Sequence, residues 1–485
     1  MRARIKLLAS ALAAALTLAP AARSDTSDIK LPDIAASSSQ VMSPQDEARL
    51  GRAFMRQLRQ QVTLVKDPEL NDYIQSLGDR LVAVADNEPF PFTFFIVKDP
   101  TINAFAAPGG YIGVHTGLIE EAQNEDQLAA VLAHEISHVT QHHMARTYEA
   151  AGRLSLPTAA AMLAAILLGT QSSEAGQAAV AAIGAGRAQY QLAFTRADER
   201  EADNIGMQVL EKSGYDPHGM PNFFRRLLKH SQLYGGQPPE FLSTHPVTTN
   251  RIADSEARAD QFKGGGKRDR LAFHIAKQRV KVLTSDDPHG LVRDYVDAGA
   301  DAKGAGPAQR YGYALALMRA GQSGKARDIF RALHRADPDR IAYRLALAKA
   351  ELESGAADTA LAQYRSTLKI YPGNATVSTY YAEALMQARQ ARQAQQLLEK
   401  LAEQQHPPRP QIYHLLARAS QAVGETWRSH EAMGEYYYLN GQTHAAVQQL
   451  QLALKTPGLD FYDTQRLEAR LKQFKQTARR EDKQH

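Results

Sequence analysis

The sequence predicts a mainly α-helical protein with two parts: an α+β domain with a small sheet beside a histidine-bearing helix, followed by an α-helical repeat solenoid. Three observations predict this class. Apolar residues recur at helical spacing, β-branched and aromatic residues cluster around 90–119, and a period of 34 residues runs through the C-terminal part. The segment KGGGKR at 263–268 is predicted to be a linker between the two parts.

Length and composition limit the classes of function. The 485 residues suffice for two or more domains with separate cores. The formal net charge of +5 includes Arg2, Arg4 and Lys6, and without these three it falls to about +2. Because no basic run is interleaved with aromatic residues, we expect no nucleic-acid partner. The chain has no cysteine, so any metal must be bound by histidine and carboxylate side chains.

Residues 1–24 have the anatomy of a secretory signal peptide. A basic stretch precedes an apolar run at 7–18, and the small residues that follow predict cleavage near 21–24. An uncleaved membrane anchor is the alternative, but the apolar run is short for a bilayer span. Since no cysteine follows the run, a lipoprotein anchor is excluded. We therefore expect export, with 25–43 as an extended lead-in.

Residues 43–147 are predicted to form the framework of the first domain. Ser43 can cap a helix with proline in its first turn and acidic residues near the positive end of its dipole. The segment 67–85 has apolar residues at helical spacing. The segment 90–119, interrupted by Asp-Pro and Pro-Gly-Gly turns, predicts two or three short strands. A further helix is expected over roughly 125–147.

The Ala-rich segment 154–188 admits two interpretations. Polar residues at 171–177 interrupt it, and neither half reaches the usual length of a membrane span. We therefore predict two helices that cover the candidate site rather than a membrane hairpin.

Residues 307–475 repeat with a period of 34. The recurring positions hold a glycine, a small residue, an aromatic residue and a terminal proline: Gly321 and Gly355; Ala326, Ala360 and Ala394; Phe330 and Tyr364; Pro338 and Pro372. Small residues let paired helices approach and proline ends the second helix, which is typical of tetratricopeptide repeats. With a degenerate unit at 434–458, about four repeats should form a solenoid with a concave face. A generic helical bundle is the less favoured alternative. Residues 263–306 would then be linker and connecting helices, and 476–485 a polar tail.

The stretch AVLAHEISHVTQHH at 130–143 predicts a metal site. His134 and His138 are one helical turn apart, so both imidazoles can reach one metal ion. Glu135 lies on the flank of the same face, where it can reach the attacking water. This HExxH pattern is only moderately specific by itself. His142 and His143 are interpreted as polar surface or rim residues, with at most a role towards the substrate.

A catalytic zinc ion needs a third protein ligand and one open position. The metzincin spacing fails, because Gln141 and Met144 stand where glycine and histidine are required. The segment TRADEREADNIGMQVL instead offers Glu199 and Asp203 on one helical face. Glu199 can be the third ligand, and Asp203 can accept the second ring N–H of a ligating histidine. Glu201 points away from that face, and a solvated acidic face is the alternative for the whole segment.

These motifs resemble the M48 family of zinc metallopeptidases. HExxH is followed by Glu-x-x-x-Asp in EREAD, with NAFAAPGGYIGVHTGLI upstream and STHPVTTNRI downstream. The resemblance covers almost the whole chain after the signal peptide, and it implies that 25–262 is a zinc metalloprotease domain. It implies one Zn²⁺ per chain, with His134, His138 and Glu199 as ligands and Glu135 as general base. Many members have transmembrane helices, and because this chain has only the short Ala-rich segments we expect the soluble periplasmic branch.

His245 in STHPVTTNRI has two candidate roles. It can stabilise the oxyanion of the tetrahedral intermediate, or it can bind the metal as a fourth ligand and close the site. A loop histidine made rigid by Pro246 is the alternative. The AFAAPGGYIGV segment is predicted to lie as an edge strand beside the metal helix, where an extended substrate can pair with it. The predicted substrate-binding residues are Asn103, Ala104, Phe105 and Gly110.

The expected reaction is metal-assisted peptide hydrolysis in the periplasm of a Gram-negative bacterium. The resemblance implies a protease with a chaperone-like role in the assembly and quality control of outer-membrane β-barrel proteins. Its implied partners are unfolded or misassembled outer-membrane proteins, the β-barrel assembly machinery through the repeat domain, and peripherally the outer membrane. Two alternatives remain open. One is a tetratricopeptide chaperone or adaptor with minor proteolysis, and the other is a signal-anchored membrane protease.

Overall fold

The computed structural model describes residues 43–86, 90–144, 163, 194–233, 239–262, 270–302, 304–405 and 407–482. Within these residues the chain forms twenty helices and one three-stranded sheet, which confirms the predicted mainly α-helical class. None of the helices in these ranges has both the length and the apolar character needed to cross a membrane. The predicted signal peptide and the linker at 263–268 lie outside the described residues, as does the Ala-rich segment 154–188 except for Leu163.

Two capped helices begin the first domain. Helix α1 (Pro44–Gln61) starts after Ser43, whose side chain accepts a hydrogen bond from the amide three residues on, as the sequence predicts. Helix α2 (Pro68–Val82) starts after Asp67, which caps its helix in the same way. Each helix has proline in its first turn, where a backbone N–H would have no acceptor within the helix, so the missing N–H of proline costs no hydrogen bond. Both helices bury an apolar stripe in the domain core.

The three strands form one mixed sheet. Strand β1 (Thr93–Val97) pairs parallel with β3 (Tyr111–His115), and β2 (Ala104–Ala107) pairs antiparallel with β3. The order is β1–β3–β2, so β2 lies at an edge of the described sheet. Gly109 and Gly110 adopt φ values of 74° and 77° in the turn between β2 and β3, a conformation that strains L-residues. Alternate strand side chains enter two cores, one shared with α2 and the other with α1.

The described part of the first domain is completed by six further helices: α3 (Thr116–Glu121), α4 (Glu125–Thr140), α5 (Arg196–Lys212), α6 (Gly219–Leu233), α7 (Glu240–Thr244) and α8 (Thr249–Ala259). Helix α4 is buried along nearly its whole length and contacts α2, α5, α6 and β2. The predicted end of this helix near residue 147 was wrong. It ends at Thr140, because His142 has a left-handed φ of 53° that interrupts the helix.

Connecting helices lead from the first domain to a series of helix pairs. The connecting helices are α9 (Arg270–Thr284) and α10 (Pro288–Asp297). The pairs are α11 (Pro307–Arg319) with α12 (Ser323–Ala336), α13 (Ile341–Glu353) with α14 (Ala357–Ile370), α15 (Ala375–Gln387) with α16 (Ala391–Gln404), α17 (Pro410–Ala422) with α18 (Thr426–Leu439), and α19 (Thr443–Lys455) with α20 (Phe461–Asp482). Each helix packs against the next, as in a tetratricopeptide solenoid. Helix α20 extends into the segment expected to be a polar tail.

The period of the repeats is visible in their packing and in their turns. The small and aromatic residues that keep the period are buried: Ala326, Ala360, Ala394, Phe330 and Tyr364. Gly321 and Gly355 adopt φ values of 74° and 89° between the two helices of their repeats. The equivalent position of the third repeat is Arg389, whose φ is 60°. The turn therefore keeps its left-handed conformation even where the sequence departs from glycine.

A buried arginine joins the first domain to the repeats. Arg279 on α9 lies 2.7 Å from Asp67 Oδ2 and 2.9 Å from Glu69 Oε1. Its guanidinium also donates to the hydroxyls of Tyr311 on α11 and Tyr380 on α15. Burial raises the pKa of Glu69 to about 7, although the charge of Arg279 opposes this. A cavity of about 450 Å³ at the junction is lined by Glu69 and Arg279.

The repeats also contact the two N-terminal helices of the first domain directly. Asp72 on α2 accepts hydrogen bonds from Thr376 and Arg409. Arg59 on α1 donates to the carbonyl of Leu439, the last residue of α18. The series of helix pairs is therefore fixed to both N-terminal helices of the first domain.

Candidate metal centre

The predicted site residues converge from three elements of the first domain. Helix α4 carries His134, Glu135 and His138, and the first turn of α5 carries Glu199. His245 is the residue that caps the C-terminus of α7. All five side chains are buried.

Local sequence explains why α4 and α5 can present these groups side by side. Asn124 caps α4 by accepting the amide hydrogen of Gln127. Thr195 and Asp198 form a reciprocal capping box at the start of α5, which places Glu199 in the first turn of that helix. A Cβ added at Gly206 of α5 would lie 3.2 Å from the His134 backbone nitrogen. Glycine at this position therefore lets the two helices approach closely.

The candidate ligand atoms of His134, His138, Glu199 and His245 all lie within 4.8 Å of one another. His134 Nε2 is 3.0 Å from His138 Nε2 and 3.6 Å from Glu199 Oε2. His138 Nε2 is 3.5 Å from Glu199 Oε1. Ligands about 2.0–2.1 Å from a tetrahedral zinc ion stand roughly 3.3 Å apart. The separations and the mixture of imidazole and carboxylate donors therefore fit such an ion.

Burial and neighbouring charges favour the metal-binding protonation states of His138 and Glu199. Burial lowers the pKa of His138 well below its usual value, and the adjacent His134 and His245 lower it further. For Glu199, burial favours the protonated form, but the combined attraction to His245, His134 and Arg251 outweighs it and lowers the pKa. A neutral imidazole and an ionised carboxylate are the forms that act as ligands.

Glu135 lies beside the converging ligand atoms. Its Oε1 is 3.4 Å from His245 Nε2, and neither of its carboxylate oxygens has a hydrogen-bond partner in the described part of the chain. Burial raises its pKa, although the charge of a protonated His245 would oppose this. A buried carboxylate with a raised pKa and open acceptor positions is suited to accept a proton.

Asp203 and Arg251 lie behind His134 and Glu199. Asp203 Oδ1 is 3.0 Å from His134 Nδ1, the ring nitrogen on the side opposite Nε2. Arg251 donates to both oxygens of Asp203 at 2.6 and 2.8 Å, and its Nη1 lies 2.6 Å from Glu199 Oε2. Burial would raise the pKa of Asp203, but the hydrogen bonds and charge of Arg251 outweigh it and lower the pKa to about 2. Arg251 is a residue of the site that the sequence did not predict, although it stands in the same STHPVTTNRI motif as His245.

His245 is held against the ligand cluster. Its Nδ1 is 2.8 Å from Glu199 Oε1 and 3.3 Å from His134 Nε2. Its ring stacks between Phe241 and Phe194, with centroid distances of 4.7 and 5.4 Å. Burial would lower the pKa of His245, but the carboxylates of Glu199 and Glu135 outweigh it and raise the pKa.

The interpretation of both terminal histidines of the motif as surface or rim residues was wrong for one of them. His143 is 1% exposed, and its Nδ1 lies 2.7 Å from His138 Nδ1. The error came from extending α4 beyond Thr140, since the left-handed turn at His142 redirects the next side chain. His142 itself is partly exposed, with its Nδ1 3.8 Å from a carboxylate oxygen of Glu47.

The predicted substrate-binding residues lie on or beside the edge strand β2. Asn103 precedes β2 and is buried, and neither polar atom of its side chain has a hydrogen-bond partner in the described part of the chain. Ala104 and Phe105 are buried in separate cores on the two faces of the sheet. Farther along β2, the amide of Ala106 faces Glu135. Gly110 lies in the turn after β2, where an added Cβ would meet the Pro91 carbonyl and the Phe90 ring, and the structure does not place it with the ligand cluster.

An HExxH helix, a following carboxylate helix and a C-terminal series of helix pairs are the features of a metallopeptidase joined to a tetratricopeptide array. Comparison with known proteins agrees. The family model for peptidase family M48 matches residues 68–259, and two tetratricopeptide repeat models match 307–350 and 351–419. The peptidase domain therefore precedes the tetratricopeptide repeats along the chain, as the sequence predicts.

Relatives match along nearly the whole chain. It is 35% identical to the β-barrel assembly-enhancing protease of Escherichia coli strain K12, over 98% of this chain and 97% of that protein. It is 35% identical to the putative β-barrel assembly-enhancing protease of Vibrio cholerae over 92% of each chain. The mitochondrial metalloendopeptidase OMA1 of Danio rerio is 32% identical over 41% of this chain and 43% of that protein. The chain belongs to the M48 metallopeptidases, in the group that joins the peptidase domain to tetratricopeptide repeats.

Proposed function

We propose that this protein is a zinc-dependent endopeptidase of the periplasm, which degrades misfolded or stalled outer-membrane β-barrel proteins and assists the assembly of others. The main support is the convergence of His134, His138 and Glu199 beside Glu135. The substrate class rests on the relatives named for β-barrel assembly, which match this chain over nearly its full length. The predicted signal peptide at 1–24 supports the location.

In this proposal His134, His138 and Glu199 hold one Zn²⁺ per chain. When bound, zinc supplies Lewis-acid activation of the attacking water and of the scissile carbonyl. Glu135 accepts the proton of the attacking water and returns it to the nitrogen of the leaving amine. Asp203 fixes the His134 ring by accepting its Nδ1 proton, as carboxylates behind metal-bound histidines commonly do.

We propose that substrate pairs as an additional strand with the edge of β2 that has no partner strand in the described part of the chain. The side chains of Ala104 and Phe105 are buried, so an extended substrate at this edge would be recognised mainly through its backbone. The amide of Ala106 faces Glu135, so this edge leads to the candidate general base. Of the four predicted substrate-binding residues, Asn103 is the one whose side chain is polar, and its amide group could hydrogen-bond to a substrate beside β2. Backbone recognition would tolerate many sequences, which suits the removal of misfolded chains.

We infer that His245 closes the resting site as a fourth ligand. Its Nδ1 stands 3.3 Å from His134 Nε2, a separation expected for two ligands of one tetrahedral ion. His245→Ala should then increase the cleavage of a loosely folded substrate such as casein. Unchanged or lower turnover in that variant would contradict the closing role and favour stabilisation of the oxyanion.

The decisive experiment compares the wild-type chain with Glu135→Gln and His134→Ala. Metal analysis of the purified proteins should find about one equivalent of zinc in the wild type and in Glu135→Gln, and a loss in His134→Ala. Peptide hydrolysis should be abolished in Glu135→Gln, because amide oxygen is a poor proton acceptor. Hydrolysis at the wild-type rate in Glu135→Gln would refute the mechanism, and a wild-type protein without bound zinc would refute the metal assignment.

A second candidate function is that of a chaperone or adaptor in which proteolysis is minor. It is favoured by the extent of the repeats, which run from Pro307 to Asp482 and offer a surface for the β-barrel assembly machinery and for peripheral contact with the outer membrane. The Glu135→Gln chain separates the two functions in cells. Full support of β-barrel assembly by this variant would favour the chaperone, and its failure would favour the protease.

A further inference from the structure

Three buried or partly buried side chains, His143, Glu201 and Asp198, lie behind His138 and have no role in the proposed reaction. We propose that Glu201, His143 and His138 form a hydrogen-bonded relay, in which His143 is a positioning residue that fixes the ring orientation and tautomer of His138. The relay rests on the proposed function, because it takes His138 as a metal ligand.

The inner contact of the relay joins the two histidine rings. His138 directs its Nε2 towards the ligand cluster, where it lies 3.0 Å from His134 Nε2. Its other ring nitrogen, Nδ1, lies 2.7 Å from His143 Nδ1. Both rings are buried, at 0% and 1% exposure, and buried polar groups are normally hydrogen-bonded. At 2.7 Å the two nitrogens must therefore share a proton.

The outer contact joins His143 to a carboxylate. His143 Nε2 lies 3.2 Å from Glu201 Oε2 and 3.7 Å from Asp198 Oδ1. Glu201 is two residues after Glu199 on α5, so the helix that supplies the third candidate ligand also supplies the outer end of the relay. In the sequence Glu201 is not a candidate metal ligand, because helical spacing points it away from the face that carries Glu199.

Only one assignment of protons satisfies all three groups when His138 binds a metal. An imidazole that binds through Nε2 keeps its single proton on Nδ1. His138 Nδ1 therefore donates, and His143 Nδ1 must accept. A neutral His143 then has its own proton on Nε2, which donates to Glu201. The relay thus selects the tautomer of His138 that leaves Nε2 free for the metal.

The backbone brings His143 into this position at a conformational cost. On a continuous helix, a residue five positions after His138 would project roughly 140° away around the axis. The left-handed φ of 53° at His142 breaks the helix and allows the His143 ring to fold back. Phe194 stacks on the His138 ring at 3.8 Å between centroids and covers the other side of the contact.

The relay gives the two ligand histidines of α4 equivalent support. Asp203 lies 3.0 Å from His134 Nδ1, and His143 takes the corresponding place behind His138. Groups that accept the second N–H of a metal-bound histidine typically change metal affinity by about 10- to 100-fold when they are removed. His143 should therefore matter for metal affinity even though it touches neither metal nor substrate.

His143→Leu and His143→Asn are a matched pair of variants. The two side chains have nearly the same shape, but only asparagine offers an oxygen close to the position of Nδ1. The measurement is Zn²⁺ affinity of the purified full-length chain, by competition with a chelating dye. We expect His143→Leu to bind Zn²⁺ about 10- to 100-fold more weakly than the wild type, and His143→Asn to recover at least about fivefold of that loss. His142→Asn controls for loss of a neighbouring histidine and should keep wild-type affinity, because asparagine tolerates the left-handed conformation that positions His143.

The outcomes separate the relay from the proposed function. A wild-type chain that binds no Zn²⁺ overturns the proposed function and the relay with it. If the wild type binds Zn²⁺ but His143→Leu binds it equally well, only the relay is overturned. Equal weakening in His143→Leu and His143→Asn also overturns it, since the acceptor atom would then have no effect. A second equivalent of Zn²⁺ bound at His143 and Glu201 overturns it too, because metal would replace the proton on His143 Nε2.

Glu201 offers a second test if His143→Leu does not fold. Its side chain is 25% exposed, so Glu201→Ala disturbs the interior less than a change at His143. Loss of the outer acceptor should weaken Zn²⁺ binding several-fold, by less than the loss in His143→Leu. Wild-type affinity in Glu201→Ala contradicts the relay, and thermal unfolding of the metal-free variant shows whether the fold is retained.

Discussion

The candidate metal centre and the junction between the two domains are both built on a buried arginine that bridges two carboxylates, yet the carboxylates differ in their other neighbours. In the metal centre, Arg251 contacts Asp203 and Glu199. These carboxylates also lie against the rings of His134 and His245. They are therefore shared between a fixed cation and groups that can bind a metal.

At the junction, the corresponding groups have no metal-binding neighbours among the contacts described. Arg279 bridges Asp67 and Glu69, and its remaining N–H groups donate to the hydroxyls of Tyr311 and Tyr380. Tyrosine satisfies the hydrogen bonds of the guanidinium and links it to two helices of the repeats. The comparison shows that a buried ion pair by itself fixes structure, and that adjacent imidazoles are what add a candidate chemical role.

The largest predicted effect concerns the junction. Arg279→Leu would leave Asp67 and Glu69 buried without a counter-charge, which typically destabilises a protein by about 3–5 kcal/mol. Denaturant unfolding can follow this loss through the fluorescence of the single tryptophan, Trp427, which lies in the repeats. Arg293→Leu is a matched control, because Arg293 is 71% exposed and should contribute almost nothing. A loss below about 1 kcal/mol in Arg279→Leu would show that the junction is not held by this ion pair.

Zinc should distinguish the two arginines. A ligand that binds only the folded state raises its stability by an amount set by the affinity. Arg279→Leu should gain as much from Zn²⁺ as the wild type does, since its contacts lie outside the metal centre. Arg251→Leu should gain less, because Asp203 and Glu199 lose the group that orients them. Equal gains in both variants would contradict the separate roles of the two arginines.

Glu199 in the candidate metal centre and Glu69 at the junction have pKa values shifted in opposite directions. The pKa of Glu199 is lowered, whereas burial raises that of Glu69 to about 7. Between about pH 4.5 and pH 7 the folded state therefore holds a proton on Glu69 that the unfolded state releases. The contribution of Glu69 to the free energy of unfolding should fall across this range, by about 3 kcal/mol in total.

Glu69→Gln removes this titration and provides the measurement. The difference in unfolding free energy between Glu69→Gln and the wild type should shift in favour of the variant as the pH rises from 4.5 to 8. The two proteins share all other titrating groups, so the difference isolates Glu69, which lines the junction cavity and can exchange protons there. A difference that stays constant with pH would mean that Glu69 is already ionised throughout the range.

The sequence contained most of what was needed for the metal-binding helices. The spacing of His134 and His138 follows from one helical turn, and Glu199 with Asp203 follows from the same periodicity on α5. Arg251 and His143 were missed for a different reason. Each reaches the site after an irregular segment, and periodicity says nothing about where a chain goes once the helix ends. Such positions depend on tertiary contacts that a pattern within one segment does not contain.

The repeats were easier to predict, because each unit packs the same types of residue at the same positions. The 34-residue period located buried alanines, aromatic residues and turns without reference to distant contacts. The junction was not predicted, since Arg279 and its partners come from four separate segments of sequence. Local repetition therefore predicts the interior of the repeats and not their attachment to the first domain.

The smallest predicted effect tests the one departure from the repeat turn. Among the described residues, the non-glycine residues with positive φ are Arg389 in the repeats and His142 in the metal centre. Arg389 is exposed and occupies the position that is glycine in the two preceding repeats, and its side chain makes no hydrogen bond or ion pair within the described part of the chain. Arg389→Gly relieves this strain, but glycine loses more conformational entropy on folding. The net effect should be a rise in the free energy of unfolding of about 0.5–1 kcal/mol.

Arg389→Ala is the control for this turn, because alanine removes the side chain and keeps the strain. It should leave stability within about 0.5 kcal/mol of the wild type, and a gain equal to that of Arg389→Gly would contradict the backbone explanation. Thermal unfolding of the three proteins provides the comparison. His142 adopts the same strained conformation for a different reason, since it turns His143 onto His138. Replacing a strained residue on which no other contact depends should raise the free energy of unfolding. A substitution at His142 must be judged by metal affinity as well as by stability, because the contact of His143 with His138 depends on this turn.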